Sequence, residues 1–206
     1  MKRIVFDLDG TLLTCDFELQ REFFTELYGE SANDLVNNMG IYLDEFEKKY
    51  HNYNNDDLSK FLSMKSGINI ADKVIDDWIE VISSIPDTME DGVIETLEYF
   101  KTKDCSLAVL TNWYGKSQIP RLKKAGIIDY FDNIYTGDFV LKPHKKSYVL
   151  AQDKFNVEDC LFIGDNLDKD YIGPRANGFD SIIYDKNDNY HKSLKKIKRI
   201  NEIIVR

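Results

Sequence analysis

Short and nearly continuous apolar runs recur along the chain, and amphipathic helical patterns separate them. Runs of this kind are typical of strands in a parallel sheet whose two faces are both covered. Val93, Leu97 and Phe100 show the helical spacing of four and three residues that lies between two such runs. Strands that alternate with helices predict β-α-β units, and hence an α/β fold with an open, doubly wound parallel sheet. The predicted strands cover residues 2–6, 106–110, 133–136, 160–163 and 181–184.

Residues 16–88 interrupt this alternation of strands and helices. They contain no run that predicts a strand, but they contain aromatic-rich stripes at helical spacing, separated by glycines such as Gly40. Leu43, Phe46 and Tyr50 form one of these stripes, which predict that the segment has a helical core of its own. The predicted domains are an α/β domain of residues 1–15 and 89–206 and an inserted all-helical domain of residues 16–88.

Composition and charge exclude several classes of protein. A chain of 206 residues with 43% hydrophobic and 31% charged residues is neither disordered nor embedded in a membrane. No apolar run approaches the ~20 residues of a membrane span, and Asp7 follows the first run at once, so we expect neither membrane attachment nor a signal peptide. A net charge of −9 argues against a nucleic-acid partner, because phosphate backbones are bound by basic surfaces.

The cysteines indicate a cellular compartment. Cys15, Cys105 and Cys160 are odd in number, widely spaced and without close pairing. This usage predicts free thiols in a reducing environment, and therefore a cytoplasmic protein. The sequence leaves the oligomeric state open.

Two acidic residues stand at the end of the first predicted strand. Asp7 and Asp9 follow residues 2–6, and Gly10 ends the strand. In an extended chain, positions i and i+2 point the same way, so both carboxylates are expected to face one site. Two carboxylates this close repel each other unless a cation compensates their charge. A strand that ends in a polar turn explains the same residues without any function, so the rest of the chain must decide.

Three further polar signals follow predicted strands. Thr111 and Asn112 follow the second strand, Lys142 lies shortly after the third, and Asp165 with Asp170 follows the fourth. Each signal alone has a structural explanation, as a helix N-cap, a surface charge or a turn. Their common position is informative, because open α/β sheets bind ligands at the carboxyl ends of their strands.

Phosphoryl transfer through a covalent intermediate needs this set of side chains. The Asp7 carboxylate can attack phosphorus if the negative charge of the phosphate is neutralised. Mg²⁺ held by Asp7 and Asp165 would supply that neutralisation, and Thr111 with nearby backbone amides could hold the remaining oxygens. Lys142 adds a fixed positive charge, and Asp9 can act as general acid and then as general base.

The motifs resemble those of the haloacid dehalogenase-like hydrolase superfamily, and the resemblance runs nearly from end to end. Residues 7–11 are similar to its first motif, residues 111–112 to its second, residues 142–143 to its third and residues 164–170 to its fourth. The resemblance implies a Rossmann-like core with strand order 3-2-1-4-5 and the active site beside the first strand. It also implies that the helical insert is a cap.

The resemblance further implies a role for each motif residue. Asp7 would be the nucleophile, and Asp9 the general acid/base. Asp168 is expected to face solvent, although an exchange of roles with Asp170 stays open. The residues expected to bind the substrate phosphate are Thr111, Asn112 and Lys142. The residues expected to bind or support Mg²⁺ are Asp7, Asp9 (through its backbone carbonyl), Asp165 and Asp170.

A Mg²⁺-dependent phosphatase acting on a small phosphorylated metabolite is therefore the leading hypothesis. Asp9 argues against the carbon–halogen and phosphonate cleavage of relatives that lack an acid at that position. A sugar phosphomutase and a non-catalytic binding or regulatory module on the same fold stay open as alternatives. Candidates for contacting the organic part of the substrate are Cys15, Phe17, His51, Tyr53, Asn54 and Lys65.

Overall fold

The structure of the protein, a computed structural model, describes residues 2–205, with only the backbone of residue 205. Its strands are β1 (Arg3–Phe6), β2 (Leu13–Cys15), β3 (Asp87–Met89), β4 (Ser106–Leu110), β5 (Asn133–Tyr135), β6 (Cys160–Gly164), β7 (Asp180–Tyr184) and β8 (Lys196–Ile197). Its α-helices are α1 (Glu18–Tyr28), α2 (Asn33–Lys49), α3 (Asn55–Ser66), α4 (Asp72–Ser84), α5 (Val93–Thr102), α6 (Gly115–Lys124), α7 (Lys145–Gln152) and α8 (Gly173–Ala176). A π-helix covers Leu167–Ile172, and short 3-10 helices cover Gly29–Ala32, Ile128–Tyr130, Val157–Asp159 and Ile200–Val205. Across the described residues, no helix is both long and apolar enough to cross a membrane.

A six-stranded parallel sheet forms the centre of the α/β part, in the order β5-β4-β1-β6-β7-β8. The five predicted strands occupy the order 3-2-1-4-5 within it, as expected. In β1, Arg3 pairs with Ser106 on one side and with Cys160 on the other, and all four residues of the strand are buried. The central position of β1 places the residues that follow it in the middle of the sheet's carboxyl edge.

The sixth strand, β8, was not predicted. It lies in a stretch rich in lysine and arginine, yet Ile197 is buried and pairs in parallel with Tyr184 of β7. Lys196 pairs with Asp185 at 2.7 Å and with Asp188 at 2.5 Å. Lys196 therefore lies in a strand with its charge compensated by two carboxylates, although a lysine-rich stretch normally indicates a loop that faces solvent.

An antiparallel ribbon of β2 and β3 precedes and follows helices α1 to α4. Thr14 pairs with Thr88, and Cys15 pairs with Asp87. The prediction that segment 16–88 is wholly helical is therefore wrong at its end, because its last two residues belong to β3. The chain passes twice between the sheet and the inserted helices, and the two passages run side by side. Their backbone N–H and C=O groups are satisfied by hydrogen bonds to each other.

The inserted helices pack around aromatic residues. Phe24, Phe46 and Trp78 from the predicted stripes are fully buried, and each such side chain contributes about 1.5–3 kcal/mol by leaving water. Gly40 was expected to separate two helices, but it lies inside α2. Trp113 of the α/β part is buried in the same cluster, so the helical layer packs directly on the sheet domain.

Glu90 joins the ribbon to the sheet. Its carboxylate accepts hydrogen bonds from Thr14 Oγ1 at 2.5 Å and from Tyr184 Oη at 2.7 Å, and it pairs with Lys186 Nζ at 2.8 Å. Burial disfavours the charged form of Glu90, but these partners outweigh burial and lower the pKa of its carboxyl. Ionised Glu90 therefore stabilises the folded state.

We expect Glu90→Gln to change how stability depends on pH. A lowered folded-state pKa gives stabilisation that is present above the unfolded pKa and is lost as pH falls through the folded one. The difference in unfolding free energy between wild type and variant should be constant above about pH 5.5 and shrink below about pH 4.5. Urea unfolding of both proteins at a series of pH values measures this difference in unfolding free energy. A difference that does not change with pH would contradict the role given to Glu90.

Candidate active site

The carboxyl ends of the central strands and the loops that follow them enclose one cavity of about 210 Å³. Because parallel strands end at a common edge, residues far apart in sequence meet there. Six of the seven predicted site residues line the cavity: Asp7, Asp9, Thr111, Asn112, Lys142 and Asp165. Asp170, the seventh, is buried behind Lys142. Glu47, Asn166 and Lys169 complete the lining.

Lys142 is a buried cation between two carboxylates. Its Nζ lies 2.8 Å from Asp7 Oδ1 and 2.7 Å from Asp170 Oδ1, and its side chain is only 3% exposed. Burial disfavours the ammonium, but Asp170 and Asp7 outweigh burial and raise the pKa of Lys142. Burial raises the pKa of Asp7 to about 6, while Lys142 opposes the rise and Asp170 adds to it.

Three carboxylates converge where a cation could bind. One oxygen each from Asp7, Asp165 and Asp170 lies within 4.8 Å of the others. Burial, followed by the charges of Asp7 and Asp170, raises the pKa of Asp165 to about 7. Carboxylate oxygens in such a cluster suit a hard divalent cation, whose charge would relieve their mutual repulsion. The residues present therefore fit Mg²⁺.

Two glycines let the backbone approach these carboxylates. A Cβ on Gly164 would lie 2.3 Å from Asp170 Cγ, and a Cβ on Gly10 would lie 2.5 Å from Asp165 Oδ2. Gly10 also has a φ of +75°, in the left-handed region that favours glycine. The acidic cluster can be this compact because both positions lack a side chain.

Asn112 holds the Lys142 loop against β4. Its side-chain amide donates to the Lys142 carbonyl oxygen at 2.7 Å, and its Oδ1 accepts from the Lys142 backbone N–H at 2.7 Å. Sequence reasoning expected Asn112 to bind phosphate, but its side chain is engaged in this pair of bonds. Any contact from Asn112 to a phosphate would therefore come from its backbone N–H.

Asp9 lies in the same cavity but points its carboxylate to α6. Gln118 Nε2 donates to Asp9 Oδ2 at 2.6 Å and to Thr111 Oγ1 at 2.8 Å, and Arg121 Nη1 lies 2.6 Å from Asp9 Oδ1. Burial raises the pKa of Asp9, and Arg121 opposes the rise. The Asp9 side chain is not one of the three converging carboxylates, so only its backbone could serve as the predicted metal ligand.

Gln118 and Arg121 were missed by sequence reasoning. Both are buried, whereas Ile119 of the same helix is 36% exposed. Arg121 also forms a two-pronged ion pair with Asp87 of β3, with Nε at 3.1 Å and Nη2 at 2.7 Å from Oδ1. A glutamine and an arginine three residues apart on an amphipathic helix normally indicate its solvent face. Only the tertiary structure shows that Asp9 and Asp87 cover them.

Asp168 and Asp170 have different surroundings. The Asp168 side chain is 59% exposed and lies 3.9 Å from Lys48, whereas Asp170 is buried against Lys142. Asp168 faces solvent, as expected, and Asp170 is the one of the two that contacts Lys142.

The inserted helices contribute Glu47 of α2 to the cavity. Glu47 forms an ion pair with Lys169 of the π-helix, and its Oε1 accepts from Tyr53 Oη at 2.6 Å. None of the six residues that the sequence offered as substrate contacts is among those that line the cavity. Tyr53, one of these six, instead orients Glu47 from the buried helical core.

A larger cleft lies at the opposite edge of the sheet. It measures about 530 Å³ and is lined by residues such as Lys2, Cys105 and Ile203. Its lining includes none of the predicted site residues and no convergent carboxylates that could hold a metal ion. The cavity at the carboxyl edge is therefore the candidate active site.

We expect Arg121→Met to destabilise the fold strongly. The change leaves Asp87 and Asp9 without their buried cation, and removing one partner of a buried ion pair typically costs about 3–5 kcal/mol. Chemical denaturation measures the loss. Arg21→Met is the matched control, because Arg21 is exposed and its contacts, Glu18 at 3.6 Å and Asn37 Oδ1 at 3.3 Å, are exposed as well, so its effect should stay within about 0.5 kcal/mol. Equal losses in both variants would contradict the buried network.

Comparison with known proteins agrees with the motifs. The family model for haloacid dehalogenase-like hydrolases matches residues 1–178. The ribulose-1,5-bisphosphate 5-phosphatase of Halopiger xanaduensis is 21% identical over 214 residues, covering 90% of this chain and 85% of the relative. The glyceraldehyde 3-phosphate phosphatase of Methanocaldococcus jannaschii is 29% identical over 184 residues, covering 82% and 78%.

A solved structure shows the same fold. The HAD-hydrolase YfnB from Bacillus subtilis, bound to magnesium, superposes with a TM-score of 0.73 and 19% identity, over 98% of this chain and 96% of that chain. This likeness concerns the fold, including the inserted helices. Since the family model spans most of the sequence, this chain belongs to the haloacid dehalogenase-like hydrolase family.

Proposed function

We propose that this protein is a Mg²⁺-dependent phosphatase that hydrolyses a small phosphorylated metabolite through an aspartyl-phosphate intermediate. The observation that carries the proposal is the Asp7–Lys142 contact beside Asp165 and Asp170, at the carboxyl edge of a parallel sheet. The two relatives described above, which are phosphatases of small sugar phosphates, support this activity.

Asp7 is the nucleophile in this proposal. A pKa of about 6 leaves its carboxylate mostly ionised at neutral pH, and Lys142 holds one of its oxygens at 2.8 Å. The other oxygen attacks phosphorus, so that an Asp7–phosphorus bond forms while the bond from phosphorus to the ester oxygen breaks. Thr111 and Lys142 bind phosphate oxygens and hold the phosphorus in line.

Asp9 transfers the protons. Burial raises the pKa of its carboxyl, which favours holding the proton that the departing alcohol oxygen receives. Asp9 then takes a proton from a water molecule, whose oxygen attacks the phosphorus and releases Asp7 and inorganic phosphate. Gln118 and Arg121 hold the two Asp9 oxygens and so fix the direction of both transfers.

Asp7 and Asp165 are the residues that would hold Mg²⁺, together with the backbone carbonyl of Asp9, while Asp170 supports the site. When bound, the ion neutralises charge on the phosphate oxygens. Asp170 accepts from the Asn166 backbone N–H at 3.0 Å and pairs with Lys142 at 2.7 Å, so its orientation is fixed from two sides.

Two alternatives are less well supported. A sugar phosphomutase uses the same residues but returns the phosphoryl group to a second sugar hydroxyl. The two relatives described above are both named as phosphatases, which favours water as the acceptor. A binding module without turnover would not need Asp9 oriented by two buried side chains.

The domain division and the compartment belong to the same proposal. We assign catalysis to residues 1–15 and 89–206 and the cap to residues 16–88, supported by the ribbon of β2 and β3 at the two crossings. The three cysteines are free thiols in the structure, which supports a reducing compartment such as the cytoplasm.

Phosphate release from nitrophenyl phosphate and glycerol 3-phosphate tests the proposal. We expect release to require Mg²⁺, to stop in excess chelator and to resume when Mg²⁺ is restored. Asp7→Asn removes the attacking oxygen and should lower kcat by roughly a thousandfold or more. Asp129→Asn, the same change at an exposed position, should retain full activity. Activity in a folded Asp7→Asn variant would exclude the covalent mechanism.

Asp9→Asn should separate substrates by their leaving groups. An amide cannot protonate an alcohol, so we expect a large loss of kcat for glycerol 3-phosphate. The loss should be smaller for nitrophenyl phosphate, because its leaving group needs little protonation. Steady-state kinetics on both esters measure the two losses, and equal losses would contradict the general-acid role.

A further inference from the structure

The side of the cavity that faces away from the strand ends is wholly polar. Asp7, Thr111 and Lys142 belong to the strand ends, where the phosphate binds under the proposed function. Glu47, Asn166 and Lys169 are the three lining residues that do not belong to the predicted site. Under the proposed function the predicted residues hold the phosphate and the ion, so the organic part of the substrate would lie against these three.

Lys169 is already neutralised by carboxylates. It forms an ion pair with Glu47 and lies 3.3 Å from Asp44, and its side chain is only 16% exposed. Burial disfavours its ammonium, but Glu47 and Asp44 outweigh burial and raise the pKa of Lys169. Among the described residues, the two lysines that line the cavity, Lys142 and Lys169, both have carboxylate partners.

Glu47 is held in place and cannot turn away from a substrate. Its side chain is 5% exposed, and Tyr53 Oη donates to Oε1 while Lys169 contacts Oε2. His144 Nε2 lies 2.8 Å from the Glu47 carbonyl oxygen, which also fixes the backbone of α2 at this point. A substrate carboxylate at this wall would meet the Glu47 carboxylate, and the cation beside it, Lys169, is already paired with Glu47 and Asp44.

The wall also lacks the surfaces that bind large or aromatic groups. None of the nine residues that line the cavity, within the described part of the chain, is aromatic or aliphatic. The aromatic residues of the cap, including Tyr53 and Trp78, are packed into its own core. A volume of about 210 Å³ is also below the roughly 300–1,000 Å³ of sites for drug-sized ligands.

We propose that the substrate is the phosphate ester of a small, uncharged, hydroxyl-bearing alcohol, and that Glu47 with Lys169 selects it. Hydroxyl groups can donate to Glu47 and accept from Lys169 and Asn166, whereas a carboxylate is repelled and a nucleobase finds no stacking surface. The inference rests on the proposed phosphatase activity and adds the class of substrate.

A matched pair of esters tests the selection. Glycerol 3-phosphate and 3-phosphoglycerate have the same number of carbons and differ in that a hydroxymethyl group replaces a carboxylate. We expect kcat/KM of the wild type to favour glycerol 3-phosphate by at least about tenfold, from the repulsion between two nearby carboxylates. Uridine monophosphate should be hydrolysed more slowly still.

Two variants should move this ratio in opposite directions. Glu47→Gln keeps the size and the acceptor for Tyr53 but frees Lys169 for a carboxylate, so the ratio should fall by at least about tenfold. Lys169→Gln leaves Glu47 uncompensated, so the ratio should rise. Glu26→Gln, at an exposed position on cap helix α1, should keep the wild-type ratio.

The outcomes separate this inference from the proposed function. Release of phosphate from none of the esters would overturn the phosphatase proposal and the inference with it. Hydrolysis with a wild-type preference for 3-phosphoglycerate or uridine monophosphate would overturn the inference alone. A ratio that changes in the same direction in Glu47→Gln and Lys169→Gln would also overturn it, because a merely structural disturbance has no reason to reverse sign.

Discussion

The buried ammonium of Lys142 is the interaction on which the rest of the site depends. It forms ion pairs with Asp7 at 2.8 Å and with Asp170 at 2.7 Å, and so compensates two carboxylates that lie close together. Without that cation, burial would favour the protonated form of Asp7, which cannot attack phosphorus. The Asn112 side chain, which bonds both backbone groups of Lys142, shows that the loop itself is positioned for this contact.

A second buried network connects the reaction centre to the ribbon between the two parts of the chain. Hydrogen bonds and ion pairs run from Thr111 through Gln118 to Asp9, and from Asp9 through Arg121 to Asp87. The candidate acid/base is thus fixed by the same cation that fixes β3. Loss of either carboxylate would leave the buried Arg121 guanidinium partly uncompensated. The positions of β3 and of Asp9 therefore depend on the same side chain.

The cap adds chemistry that the sheet alone does not have. Glu47 is the cap residue in the cavity lining, and Tyr53 and Lys169 hold it there. In the proposed function, the sheet residues bind the phosphate and Glu47 contacts the group attached to it. The relatives described above are named as phosphatases of two different phosphorylated compounds, which is compatible with this division.

The sequence by itself predicted the parallel sheet and the seven residues that meet at its carboxyl edge, and the resemblance of its motifs to the family supplied the strand order. Continuous apolar runs are a local property, and strand ends are readable from the polar residues that follow them. It did not predict β8, the ribbon, or the roles of Gln118, Arg121, Glu47 and Lys169. Gln118, Arg121, Glu47 and Lys169 are polar or charged residues on helices whose own spacing does not show that they are buried. Only the tertiary structure decides which polar residues are buried, because burial depends on partners distant in sequence, such as Asp87 for Arg121 and Glu47 for Lys169.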